Sequence, residues 1–210
     1  MTGLEVVDVS HGYGAGTGRV AVLHGVSLAV APGELVALAG PSGSGKTTVC
    51  HLAAGFETPE QGAVTLDGRS AAEIADWAVV AVVPQQHGLL AELTVEQNVA
   101  LPAYRAGVTW DGGQDLFFSL DIIEIADRPA VETSLGEQQR TAIARAFVLS
   151  PRVVVLDEPT GHQDDHHVEQ VLKAMRSAAQ GGTLVLVASH DERVLEVSDR
   201  VLRLDQGRLV

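Results

Sequence analysis

A chain of 210 residues, 46% hydrophobic and 20% charged, carries enough apolar material for a full core, which excludes long disorder and favours one large α/β unit. Fourteen Lys plus Arg against 27 Asp plus Glu leave a net charge of −13, which argues against a nucleic-acid partner or an anionic lipid surface held by bulk charge. The longest apolar stretch, roughly Trp77 to Pro84, falls far short of the ~20 residues that span a bilayer, and the N-terminus lacks a signal-peptide pattern. A cytoplasmic protein is therefore expected, one that reaches a membrane only through a protein partner; the single Cys50 fits a reducing compartment and a small packing role.

Along the chain, Leu4 to Val9, Val26 to Val30 and Leu35 to Ala39 read as short strands, with Pro32-Gly33 as a turn. After the glycine-rich Gly40 to Gly45, the breaker-free run Thr47 to Ala54 predicts a helix that stops at Gly55. Val64 to Leu66 with Asp67-Gly68 predicts a hairpin, and Val79 to Val83 a buried strand ending at Pro84. Helical patterns dominate from about Thr94 to Leu149, interrupted by a polar, glycine-containing loop at Gly107 to Gln114 that is expected to be mobile. Val153 to Leu156 and Leu184 to Ala188 are continuous runs suited to strands buried on both faces. Val168 to Ala179 between them predicts the crossover helix of a parallel βαβ unit.

Gly40-Pro41-Ser42-Gly43-Ser44-Gly45-Lys46-Thr47, followed by Thr48, fits glycine, four residues, then Gly-Lys-Thr, between a predicted strand and a predicted helix. Glycines at that spacing let backbone N–H groups converge on a phosphate at a helix N-terminus. Lys46 then supplies a point charge to the β/γ oxygens, and the Thr47 hydroxyl a magnesium ligand. Val153 to Leu156 leads into Asp157-Glu158, which places an acid where ligands gather at the end of a buried strand. Asp157 is the expected magnesium acid. Glu158 is the expected general base, with a capping carboxylate before Pro159 as the plain alternative. These motifs define a P-loop nucleotide hydrolase or kinase and no more.

Ser134-Leu135-Gly136-Glu137-Gln138-Gln139-Arg140 resembles the signature motif of the ATP-binding-cassette (ABC) transporter family, Leu-Ser-Gly-Gly-Gln or Glu, with Thr133 where leucine is usual and Leu135 where the first glycine is usual. Taken by itself, Ser134 followed by Glu137 is also a capping box. In the family register, Tyr13 resembles the aromatic residue that stacks on adenine, Gln85 the glutamine that senses magnesium and the attacking water, with Gln86 as the alternative register, and His190 the switch histidine. Asp164 resembles the aspartate of the loop that crosses the dimer interface. His162, Asp164, Asp165, His166 and His167 have metal-ligand chemistry but read better as an acidic helix N-terminus.

The resemblance runs from Tyr13 to about Arg208, and the stretch Gln85 to Pro102 with Gly161 looks like the branch serving lipoprotein release and macrolide export. It implies a single nucleotide-binding domain over 1–210: a RecA-like P-loop NTPase core with a parallel sheet, an N-terminal antiparallel β subdomain, and a helical subdomain at about 86–140. It further implies an ATPase that uses ATP and magnesium and works as a homodimer, or a heterodimer with a related ATPase. Each ATP would be sandwiched between Lys46, Thr47, Gln85, Asp157, Glu158 and His190 of one copy and Ser134 and Gly136 of the other. The partner would be a transmembrane permease on the inner face of the cell membrane. A nucleotide-gated scaffold like the cell-division relatives, a soluble non-transport cassette and a metabolite kinase are the competing readings.

Overall fold

The computed structural model describes residues 3–210, Thr17 by its backbone alone. Two sheets form. The first is antiparallel, in the order β2-β1-β4-β5, from β1 (Leu4–Tyr13), β2 (Val20–Val30), β4 (Gln61–Leu66) and β5 (Arg69–Ser70). Its first two strands run further than their apolar residues suggest. The β1–β2 ladder shifts register at three places between Val6 and Gly12, and Asp8 takes φ 49°. A bulged strand loses strict period-2 alternation, so the pattern ends before the pairing does.

The second sheet runs β10-β9-β3-β8-β7-β6, from β3 (Leu35–Ala39), β6 (Val80–Val83), β7 (Val153–Asp157), β8 (Leu184–Ala188), β9 (Arg200–Asp205) and β10 (Arg208–Leu209). Its strands pair in parallel except for the β9–β10 hairpin. The central strands are buried on both faces, as their continuous apolar runs require. Val36, Leu38, Val153, Val155, Leu184 and Leu186 join one core, while Leu35, Ala37, Val154, Leu156, Val185 and Val187 join the other. The first core fills the space against the antiparallel sheet and α1 (Lys46–Ala53). The second packs against α4 (Leu135–Phe147) and α5 (Asp165–Gln180), the latter linking β7 to β8.

The predicted helical region resolves into α2 (Val95–Ala106), α3 (Gln114–Ser119), single 3-10 turns at Ile123–Ile125 and Ala130–Glu132, and α4. Thr94 caps α2 through a full capping box with Gln97. Sequence patterning misses the last elements, α6 (Glu192–Val197), β9 and β10. Most of β9 is exposed and it carries Arg200, Arg203 and Asp205, so no apolar run announces it, although it pairs along β3. Among the described residues no helix is long and apolar enough to cross a membrane.

Candidate active site

The carboxyl edge of the parallel sheet collects the chemistry, where ligands of open α/β sheets bind. β3 runs into the loop 40–45, β6 into Pro84-Gln85, β7 into Asp157-Glu158, and β8 into Ser189-His190. The loop turns with Gly43 at φ 79° and Gly45 at φ 104°, the latter being the N-cap of α1, conformations that a Cβ disfavours. A cavity of about 810 Å³ results, lined among others by Gly43, Lys46, Thr47, Gln85, Asp157 and Glu158. Gly40, Pro41, Ser42, Gly45, Thr48 and His190 also border it.

Lys46 is buried, its ammonium donating to Gly40 O (2.8 Å) and Pro41 O (3.3 Å). Its Nζ lies 3.9 Å from Glu158 Oε1, so the cation sits between the loop and the acid pair. Asp157 is 4% exposed. Burial pushes its carboxyl up, a hydrogen bond with Thr47 pulls it down, and Oδ2 is buried without a partner. Glu158 leaves the strand at φ 51°, a left-handed conformation that costs an ordinary residue about 1 kcal/mol or more, held here by its N–H donating to Ala188 O (2.9 Å). Its Oε2 accepts from His190 Nδ1 at 2.9 Å. With Nδ1–H committed to the carboxylate, Nε2 of this exposed ring is an acceptor when neutral and a donor only when the ring is protonated.

Gln85 borders this cavity, whereas Gln86 borders only the adjoining one, with His87, Leu135 and His162. Four further residues, Val22, Gln139, Gly161 and His162, stand on the cavity wall although none is among the nucleotide-binding residues expected from the sequence. Val22 is an ordinary strand residue and Gln139 lies one turn inside α4, so neither carries a local signal. The Gln139 Oε1 contacts His87 Nε2, while its Nε2 is buried without a partner.

Tyr13, Ser44, Ser134, Gly136 and Asp164 do not line the cavity. Ser44 is buried beneath the loop and its carbonyl accepts from Gly207 N. Ser134 caps α4: its hydroxyl lies 2.8 Å from Glu137 Oε2, which also accepts from Ser134 N (2.7 Å). A Cβ on Gly136 would come within 2.9 Å of His162 O, so this glycine lets the start of α4 pack on the loop after Glu158. Leu135 is the first residue of α4, 55% exposed, in a backbone that needs no glycine. Asp164 caps α5 by accepting from His167 N (3.0 Å). No three His, Cys, Asp or Glu residues among those described form a group that could hold a metal ion. Tyr13 stands at the end of β1 with its hydroxyl on Glu57 (2.9 Å) and 3.4 Å from Thr48 Oγ1.

A family model described as ABC transporter matches residues 23–161, the span from β2 through the loop after Glu158. This chain belongs to the ABC transporter family. The cassette is 39% identical to an ABC transporter ATP-binding protein of Mycobacterium bovis over 97% of its own length but only 65% of that relative's. It is 36% identical to the lipoprotein-releasing system ATP-binding protein LolD of Geobacter metallireducens, over 99% of the cassette and 97% of LolD. In three dimensions it matches a dimeric bacterial ABC transporter cassette with a TM-score of 0.90 at 27% identity, covering 98% and 96% of the two chains. That protein has also been solved in a post-hydrolysis state bound to ADP and Pi. The P-loop cassette fold and membership of the ABC ATPases, of the type that includes the LolD and MacB ATP-binding proteins, follow from these matches.

Proposed function

We propose that the cassette is the motor of a transporter whose membrane-spanning part is a separate permease, and that two copies, or one copy and a related ATPase, close on two ATP molecules. The reading makes it a peripheral protein on the inner face of the cell membrane and gives the whole of 1–210 to one nucleotide-binding domain, with 86–140 as its helical subdomain. The observation that carries it is the convergence of Lys46, Gln85, Asp157, Glu158 and His190 on one cavity at the sheet edge.

In this mechanism the amides of 42–47 and the Lys46 ammonium hold the phosphates, displacing Lys46 from Gly40 O and Pro41 O. Glu158 orients and deprotonates the attacking water, and His190 holds the Glu158 carboxylate in place. The unpartnered Asp157 oxygen and the Thr47 hydroxyl are hard donors that fit magnesium, with Gln85 on the same wall. When bound, that ion neutralises charge on the β- and γ-phosphate oxygens. Ser134 and the start of α4 would meet the nucleotide of the other copy.

The permease site that best fits is an apolar groove of about 520 Å³ lined by Phe56, Ile74, Trp77 and Pro102, with Arg105 and Arg145 at its wall. Phe56 is 60% exposed, a large apolar side chain left for a partner. Arg145 also donates to His87 O and Gly88 O (both 2.7 Å), which ties the groove to the segment that carries Gln85.

Glu158→Gln keeps size and hydrogen bonding but removes the base. Turnover is expected to fall about 10²-fold or more while ATP still binds, and an ATP-dependent dimer should accumulate on size-exclusion chromatography. Wild-type turnover in this variant removes Glu158 as the base. Binding of ATP without dimerisation removes the sandwich.

A further inference from the structure

We propose that Glu57 is a positioning residue for the nucleotide base, fixing the Tyr13 ring as a preformed platform beside the phosphate loop. The inference rests on the ATP reading above and adds a residue that the family motifs do not include.

Tyr13 is 42% exposed at a strand end, where a free ring would lose rotamer freedom on stacking with a base. Here the ring is already tied down. Its hydroxyl donates to Glu57 at 2.9 Å, with the second carboxylate oxygen 3.1 Å away, and Thr48 Oγ1 of α1 lies 3.4 Å from the same hydroxyl. Glu57 is held in turn by two imidazoles, His11 Nε2 at 3.0 Å and His51 Nδ1 at 3.1 Å. The His11 ring also meets the Tyr13 ring edge-on, with centroids 5.1 Å apart and an interplanar angle of 87°.

His11 is buried and its Nδ1 has no partner. An orphaned lone pair costs less than an orphaned N–H, so the ring proton belongs on Nε2, where it donates to Glu57. The carboxylate thus gathers donors from β1 (His11, Tyr13) and from α1 (His51), joining the strand that carries the platform to the helix that starts at the phosphate loop. Partial burial would raise the Glu57 carboxyl, but the hydrogen bonds from Tyr13 and His51 hold it below its ordinary value and keep it an acceptor. Burial and the neighbouring carboxylate push the Tyr13 hydroxyl up, which keeps it a donor. Glu57 does not border the phosphate cavity, so its route to the nucleotide is through Tyr13.

Equilibrium binding of ATP and of inorganic tripolyphosphate, together with steady-state ATPase, to the wild type, Glu57→Gln, Tyr13→Phe and the double variant separates this role from a structural one. Glu57→Gln should weaken ATP about 5-fold, raise KM by the same factor and leave kcat within about 2-fold. Tripolyphosphate, which has no base, should bind unchanged. Tyr13→Phe keeps the ring and loses the hydroxyl, so it should show a similar loss, and adding Glu57→Gln to it should change nothing further. Equal weakening of tripolyphosphate, a full Glu57→Gln loss on top of Tyr13→Phe, or unaltered ATP affinity each overturns the proposal. Unaltered affinity leaves the ATP reading standing, whereas a wild type that binds no ATP removes both.

Discussion

At the scale of single residues, the site is defined by side chains whose needs are met only incompletely inside the protein. Lys46 lies on its own loop carbonyls, Asp157 Oδ2 is buried and unpaired, and Gln139 Nε2 faces nothing. Polar atoms left so are costly in an ordinary core and are met where a ligand completes them. Leu135 is the opposite case, an apolar group set on the surface at the first position of α4. Its backbone is ordinary helix, so what a glycine would contribute there is room at the helix N-terminus and not a special φ. Under the dimer reading this bulk stands where a phosphate would approach the amides of α4. Leu135→Gly is expected to raise partner-stimulated ATPase and ATP affinity a few-fold, checked by steady-state kinetics against the parent. Unchanged rate and affinity would mean that the side chain does not obstruct closure.

At the scale of elements, the start of α2 illustrates how much a buried polar residue can organise. Asn98 is fully buried, with Oδ1 accepting from Leu90 N (2.8 Å) and Nδ2 reaching the carbonyls of Leu90 (3.0 Å), Leu93 (3.2 Å) and Thr94 (3.0 Å). It therefore ties the segment leading from Gln85 to the first turn of α2. Asn98→Ala leaves the Leu90 amide without its partner and takes one of two hydrogen bonds from the carbonyls of Leu90, Leu93 and Thr94, which keep their backbone N–H donors, and should cost about 3 kcal/mol, roughly 6–12 °C in Tm. Thr94→Ala removes only the cap on the same helix and should cost about 1 kcal/mol. Thermal melts of the two variants decide this. Equal losses would show that Asn98 acts as no more than another cap.

At the scale of the whole molecule, charge and pH act together. Among the described residues six carboxyls are held below their ordinary values, four of them Asp199 by the Leu35 amide and Arg176, Asp191 by Arg193, Asp164 by the His167 amide, and Glu60 by Arg19. Glu57 and Glu137 are lowered against the opposing effect of burial, by Tyr13 and His51 and by Ser134 respectively. A carboxyl lowered on folding favours the folded state above its unfolded pKa, and that contribution is lost as pH falls through the folded value. Asp157, raised by burial, has the opposite sign. Six against one predicts that Tm declines below about pH 4, even though a chain of net charge −13 sheds repulsion on the way there. Melts from pH 7 to pH 3 test it, and a Tm that holds or climbs to pH 3 contradicts the sign.

The glycine-rich loop 40–45, the Asp157-Glu158 pair at the end of its strand and the doubly buried strands were legible because each is local. Successive glycines permit the turns of the loop, and a strand buried on both faces must be apolar throughout, so neighbouring residues carry the whole signal. Folding alone decided the rest, since those contacts join residues far apart in the chain. Glu158 meets His190 across 32 positions and Tyr13 meets Glu57 across 44, and no run of sequence records either pairing. The bulged β1–β2 ladder and the exposed β9 were likewise fixed by pairing to a neighbour, which backbone hydrogen bonds supply without asking for an apolar side chain.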